Sequence, residues 1–394
     1  MRRFKPVLSS KTAKKLGIIT GVLASIGGIT IALNWTYLRR LATYPKQQPI
    51  TTVDWYQPLE AVPGDPAPLA KASSPLAQSG LPEITEYAEA INSSALLVMH
   101  QGKLVGESYW GDFNSSSTFN SMSLSKTIVA LLIGIAIAEG HITSELDPVA
   151  KYLPFWSGDE RQDITIQDLL YMQSGLRNQD NTANPFSDLV RMYAGTQVNQ
   201  IALNLPVVRP PQQAYDYNNV NTQILSQVLE ASTGERYARY LSTRLWQPLQ
   251  GSNADLWLDR PQGDPKVFCC LFATPQDWVK VGQLFLDGGQ VDGQQVVPAE
   301  WIAKMVQPSP LNDDYGYHIW LKPQINNYKP RASDLPGKGA FINQSTFFLD
   351  GASRQRVYII PEQELVIVRV GEEPPQWDDA FMPNTLVKSL QAIK

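Results

Sequence analysis

Ser123-Leu124-Ser125-Lys126 is the single Ser-x-x-Lys of the chain. On a helix, residues three apart share a face, so the Lys126 amine can reach the Ser123 hydroxyl. A serine hydroxyl is a weak nucleophile that needs an adjacent base. A lysine serves as that base only when burial or cationic neighbours lower its pKa. Lys126 stands at the start of an apolar run, Ile128 to Ala138, which supplies such burial. Ser123 at the helix N-terminus would also lie among free backbone N–H groups that favour a developing oxyanion. One such match is expected by chance in a chain with this much serine and lysine, so the motif needs support from its surroundings.

A second group is Tyr217-Asn218-Asn219, the one place where a tyrosine is followed by x-Asn. A phenol brought near a lysine amine can share its proton and relay it between nucleophile and leaving group. Asn219 can orient the lysine or hold a substrate carbonyl through its amide. A Tyr-Asn pair in a loop also reads as a simple turn or cap. Its place after the serine motif and just ahead of a helical pattern favours the chemical reading.

The elements that would position these groups can be read from periodicity. Leu96 to His100 and Leu104 to Tyr109, separated by Gln101-Gly102-Lys103, form a β-hairpin pattern. Ser123 to Glu139 reads as a buried central helix, too short to cross a membrane. Helical patterns fill the middle, including Ile164 to Leu170, Gln223 to Ala231 and Thr274 to Leu286. Strand character returns in Ser345–Leu349, Arg356–Ile360 and Leu365–Val370, with Pro361 to Glu364 as a turn, and an amphipathic helix spans Asp378 to Ile393. The expected fold is α/β (α+β): an antiparallel sheet assembled from both chain ends, flanked by helices, with a mainly α lobe inserted. The cleft would lie where lobe and sheet meet.

At the N-terminus, residues 1–15 are basic, and Leu16 to Trp35 reads LGIITGVLASIGGITIALNW without a charge. Such a run is long enough for a transmembrane helix, and the preceding positive charge places residues 1–15 in the cytoplasm. A cleaved signal peptide is the rival, but no A-x-A-type site closes the run. Residues 36–81, rich in proline, read as a semi-extended linker, leaving 82–394 as the folded domain outside the cytoplasm, in a bacterial periplasm.

Over all 394 residues the chain is 43% hydrophobic and 18% charged with a net charge of −4, so it can bury a core and shows no basic footprint for nucleic acid. Cys269 and Cys270 are adjacent within an apolar run and read as two small buried side chains, since neighbouring cysteines cannot close a useful loop. His100, His141 and His318 share no ligand spacing, so no metal or other cofactor is expected.

With these residues in place, the chain resembles the class C β-lactamase and DD-peptidase-like superfamily of serine hydrolases from about Pro82 to Lys394. The resemblance includes Thr165-Ile166-Gln167-Asp168-Leu169-Leu170-Tyr171-Met172-Gln173-Ser174-Gly175-Leu176 and Ala273-Thr274-Pro275-Gln276-Asp277. It implies a β-lactamase/transpeptidase-like fold and an acyl-enzyme on Ser123 with Lys126 and Tyr217 as proton-transfer partners. Where penicillin-binding enzymes carry Lys-Thr-Gly, this chain has Gly351-Ala352-Ser353-Arg354-Gln355-Arg356, similar to the G-x-x-G-Q form of the esterase and 6-aminohexanoate-dimer hydrolase branch. The N–H near Ala352 could act as second oxyanion donor, Ser353 would lie beside it, and Arg354 or Arg356 could replace the missing cation.

The expected substrate is a small ester, amide or peptide. A Ser-His-Asp hydrolase is the rival mechanism, but no G-x-S-x-G elbow occurs, and His318 reads as a packing or substrate-contact residue. Two further alternatives are a DD-peptidase or β-lactamase acting on peptidoglycan-like substrates, and a catalytically idle envelope-binding protein.

Overall fold

The computed structural model describes residues 34–323 and 340–393. In chain order it contains helix α1 (Trp35–Thr43), strand β1 (Leu59–Val62), helix α2 (Gly80–Ala90), the hairpin β2 (Ser93–His100) and β3 (Lys103–Tyr109), β4 (Phe119–Asn120), and helix α3 (Ser125–Ala138). The middle holds α4 (Ile166–Leu170), α5 (Asp188–Ala194), α6 (Val198–Leu203), α7 (Asn219–Thr233) and α8 (Tyr237–Leu241). There follow β5 (Ala254–Trp257), β6 (Leu271–Ala273), α9 (Pro275–Leu286), the small hairpin β7 (Gln290–Val291) and β8 (Gln294–Gln295), and α10 (Ala299–Met305). The chain closes with β9 (Phe347–Gly351), β10 (Gln355–Ile360), β11 (Leu365–Gly371) and α11 (Phe381–Ile393).

The main sheet is antiparallel with order β3-β2-β11-β10-β9, so the two chain ends meet at β2 and β11, with Ile367 opposite Val98. β2 is apolar at consecutive positions because both sheet faces are covered. Ala95, Leu97 and Met99 join the large core around α3, while Leu96 and Val98 join a second core under α2 and α11. The α lobe is inserted between the two halves of this sheet, as the strand pattern implied. Thr165 and Thr274 each start a helix by a reciprocal capping box, with Asp168 and Asp277 at the third helical position.

Two local expectations are corrected. Residues 36–81 are not a spacer: β1 is the edge of a second sheet ordered β1-β5-β6-β4, and Ile50, Tyr56, Val62 and Leu76 are fully buried. Arg40 is buried and donates to the carbonyls of Ala194 (3.2 Å), Gly195 (3.0 Å), Asp259 (2.9 Å) and Gln57 (2.9 Å). Prolines interrupt regular hydrogen bonding in this stretch, but the apolar side chains between them still find a core. The cysteines, expected as separate side chains, are joined to each other; Cys270 has φ 68°, which turns the backbone there. The run Leu16–Trp35 lies outside the described residues except for its last two. Among the described residues no helix is long and apolar enough to cross a membrane.

α3 is buried from Ser125 to Ala136 and is the post around which lobe and sheet pack. Its Gly134 lets the Trp301 indole lie against the helix, where Trp301 Nε1 donates to the Ala130 carbonyl at 2.9 Å. A Cβ at Gly134 would stand 2.1 Å from Trp301 Cδ1. Gly134→Ala is therefore expected to destabilise the protein by about 1–3 kcal/mol through overpacking, despite alanine's better helix propensity. A denaturant titration reads this directly, and an unchanged midpoint would mean that Trp301 moves at no cost.

Candidate active site

Ser123 is presented by a one-turn 3-10 segment, Met122–Leu124, that runs into α3. Met122 has φ 49°, a left-handed backbone that a non-glycine residue adopts at a cost. Three bonds hold it there. The Met122 N–H donates to Asn120 Oδ1 at 3.0 Å, and the hydroxyls of Ser125 and Ser121 donate to the Met122 carbonyl at 2.9 and 3.2 Å. This turn leaves Ser123 partly exposed between buried neighbours.

One helical turn on, Lys126 is 1% exposed. Its Nζ lies 2.8 Å from Ser123 Oγ and donates to the Phe268 carbonyl at 2.6 Å. Burial pushes the Lys126 amine down to about 7, opposed by the charge of Asp350. The Phe268 carbonyl is itself fixed: the neighbouring Val267 carbonyl lies 3.0 Å from Ser125 Oγ, sharing that hydroxyl's one proton with the Met122 carbonyl, and the Val267 N–H donates to Gln223 Oε1 of α7 at 3.1 Å.

Tyr217 arrives from the loop before α7, and Lys126 Nζ lies 5.3 Å from its ring centroid. Its ring stacks on Trp320 at 5.9 Å and meets Tyr315 edge-on at 6.1 Å, while Tyr315 packs against Tyr215 at 5.3 Å. Asn178 Nδ2 donates to the Tyr217 carbonyl at 3.0 Å and to Asp216 Oδ1 at 2.7 Å, anchoring the loop from below. Asn218 caps α7, its side chain accepting from the Val220 N–H at 3.1 Å, and Asn219 is the first residue of that helix, partly exposed beside Tyr217.

The third wall is the corner Ala352–Arg354 between β9 and β10. Gly351 packs so closely on the serine turn that a Cβ there would meet the Ser121 carbonyl at 2.6 Å. Ser353 and Arg354 are left-handed, φ 60° and 59°. Gln355 Nε2 donates to the carbonyls of Ala352 and Ser353, both at 3.2 Å, and Arg369 Nη1 donates to those of Ser353 at 2.7 Å and Arg354 at 3.2 Å. In a trans peptide the N–H opposes the C=O, so inward carbonyls turn the N–H groups of Ser353 and Arg354 outward, where they can receive an oxyanion.

Of the two arginines expected to supply a cation, one is consumed within the body. Arg356 is buried and bonded to Asp379, Nε to Oδ1 at 2.7 Å, and to Asp350, so it does not face a substrate. Arg354 stays partly exposed at the corner, and its charge acts on Asp350 and Asp379. His318 is 3% exposed, with Nε2 at 3.1 Å from Thr222 Oγ1 and Nδ1 at 3.4 Å from Tyr315 Oη. Its carbonyl accepts from Thr127 Oγ1 at 2.7 Å. Burial, reinforced by Lys126, holds the imidazole down to about 3, so it is neutral. It acts as a tie between α3, α7 and the aromatic wall, and the substrate-contact role is not where the structure places it.

Sequence reasoning missed the Phe268 carbonyl, Tyr215 and Asp350. The glycine-aromatic stretch Tyr315 to Trp320 signalled part of the wall. A backbone carbonyl leaves no signal in residue types.

Known proteins place the chain in a family. The sequence pattern of the family described as Beta-lactamase matches residues 82–390. A 6-aminohexanoate-dimer hydrolase of Paenarthrobacter ureafaciens is 26% identical over 247 residues, 57% of this chain and 60% of that protein. This chain therefore spans less than two thirds of that relative. Among solved structures, a Bacillus anthracis protein assigned as a 6-aminohexanoate-dimer hydrolase superposes with a TM-score of 0.70 at 19% identity, covering 92% of this chain and 93% of that one. A penicillin-binding protein of Bacillus halodurans gives 0.59 at 16% identity, with 79% and 98% covered. With the fold shared at that level and the family pattern spanning lobe, sheet and site alike, this chain belongs to the beta-lactamase family.

Proposed function

We propose that this chain is a membrane-anchored serine hydrolase that cleaves an ester or amide through an acyl-enzyme on Ser123. The single observation that carries the reading is the buried Lys126 amine 2.8 Å from the Ser123 hydroxyl. With Phe268 accepting one of its N–H bonds, the neutral amine has its lone pair free for the Ser123 proton. The Ser123 oxygen then bonds to the substrate carbonyl carbon, whose oxygen becomes the anion received by the outward N–H groups of the 352–354 corner. Collapse breaks the ester or amide bond, and the leaving group takes a proton relayed from Lys126 by way of Tyr217. Water, deprotonated by the same pair, releases the acid and restores Ser123.

Two relatives support an ester or amide, one a 6-aminohexanoate-dimer hydrolase and the other a family VIII carboxylesterase structure with a TM-score of 0.59. Arg356 is spent on Asp350 and Asp379, which leaves Arg354 as the corner arginine that could meet a substrate carboxylate. An idle binding protein has no need of an amine held so close to Ser123. Anchoring rests on the charge-free run Leu16–Trp35 preceded by a basic segment, with the catalytic domain outside the cytoplasm.

Ser123→Ala is expected to lower hydrolysis of p-nitrophenyl butyrate by about 10³-fold or more and to abolish labelling by a fluorophosphonate. Retained turnover in that variant would remove Ser123 from the reaction. Lys126→Arg should be equally inactive, since a guanidinium stays protonated at any working pH.

The pH profile tests the base separately. An acceptor must be deprotonated, so kcat/KM should rise with pH through a midpoint of about 7, where Lys126 loses its proton. Asp350 favours the charged amine, and Asp350→Asn should therefore move that midpoint down. A midpoint near the ordinary lysine value would show that burial does not depress the Lys126 amine, and a profile without an ascending limb would remove it as the acceptor.

A further inference from the structure

The distance between any membrane entered by Leu16–Trp35 and the catalytic body is very short. Trp35, the last residue of the apolar run, is the first of α1. Five residues later Arg40 is buried and pinned by four carbonyls from three separate places in the body. Five residues of helix rise about 7.5 Å. No spacer intervenes, so the surface around α1 would lie at the depth of the lipid headgroups.

That surface is suited to such a place. Trp35 and Leu38, three apart on α1, are 61% and 41% exposed, and Arg39 beside them is exposed. The Tyr37 hydroxyl donates to the Pro185 carbonyl, which holds the next residue, Phe186, near α1; Phe186 is 78% exposed, the highest of the large apolar side chains among the described residues. Tryptophan and arginine together are what a headgroup layer accommodates, the indole at the polar boundary and the guanidinium on phosphate. We infer that Trp35, Leu38, Arg39 and Phe186 form a membrane-docking edge that lies on the lipid headgroups, a conclusion that rests on the anchoring proposed above.

The docking edge is joined to the cleft. Phe186 belongs to the loop 178–187, whose two ends are clamped by Arg177 on Asp188 at 2.9 and 3.0 Å. Its first residue, Asn178, holds the Tyr217 carbonyl at 3.0 Å. Lipid contact at Phe186 therefore sets one rim of the cleft against the bilayer, and the substrate class it favours is an ester or amide carried by a membrane-borne molecule.

The test uses the full chain with vesicles of phosphatidylcholine and phosphatidylglycerol. An environment-sensitive fluorophore is attached at Phe186→Cys or, as control, at Ile342→Cys, whose backbone N–H bonds to Asn384 of α11. Cofloating protein whose 186 label is blue-shifted and quenched by spin-labelled lipid, with the 342 label unaffected, is the expected result. Cofloating protein with an aqueous 186 label, or equal quenching at both sites, overturns the docking edge while leaving the anchor intact. Protein that does not cofloat overturns both. A Trp35→Ser/Phe186→Ser variant should still cofloat and hydrolyse dissolved p-nitrophenyl acetate normally, but cleave a vesicle-borne long-chain ester roughly tenfold more slowly. Equal rates on the vesicle-borne ester would also overturn the inference.

Discussion

Burying the Lys126 amine beside Ser123 takes out of water a group that ordinarily keeps its charge to well above neutral pH, and much of the surrounding structure follows from that. The side chain is 1% exposed, and its hydrogen-bond partners are a hydroxyl and a carbonyl rather than a carboxylate. Desolvation therefore dominates and the neutral form is favoured. A directly bonded acid would reverse this by stabilising the ammonium. Asp350 is close enough to be felt, yet its carboxylate is turned to Arg356.

Holding an amine in that state requires rigid walls, because water would restore the charge. α3 supplies one, apolar nearly all round and packed on every side. The turn at Val267–Phe268 supplies another, locked to α3 by Ser125 and to α7 by Gln223. The aromatic wall of Tyr215, Tyr217, Tyr315 and Trp320 closes the third side. His318 stands behind it as a neutral imidazole between Thr222 and Tyr315, a residue that strengthens the wall without adding a second charge next to Lys126.

Left-handed, non-glycine backbone occurs on both sides of the nucleophile, at Met122 and at Ser353 and Arg354. Each is over-determined by side-chain hydrogen bonds from Asn120 and Ser125 on one side and from Gln355 and Arg369 on the other. Such conformations cost free energy of order 1–3 kcal/mol each and persist where geometry is required of the backbone itself. Here they fix the backbone that presents the Ser123 hydroxyl and the backbone of the 352–354 corner.

The α+β architecture, the central helix and the Ser123/Lys126 and Tyr217 groups were legible in the sequence. Periodicity reports burial, and a three-residue spacing on a helix brings side chains together without help from the rest of the chain. By itself the sequence determined which groups could react, and it marked the apolar run before the body. The tertiary structure decided what lies around them. It gave Lys126 a backbone carbonyl in place of an acid, consumed Arg356 in a buried pair, moved His318 behind the wall and folded residues 36–81 onto the body. Those outcomes depend on packing between segments far apart in the chain, and residue type and spacing carry no record of which distant backbone or side chain fills a given gap.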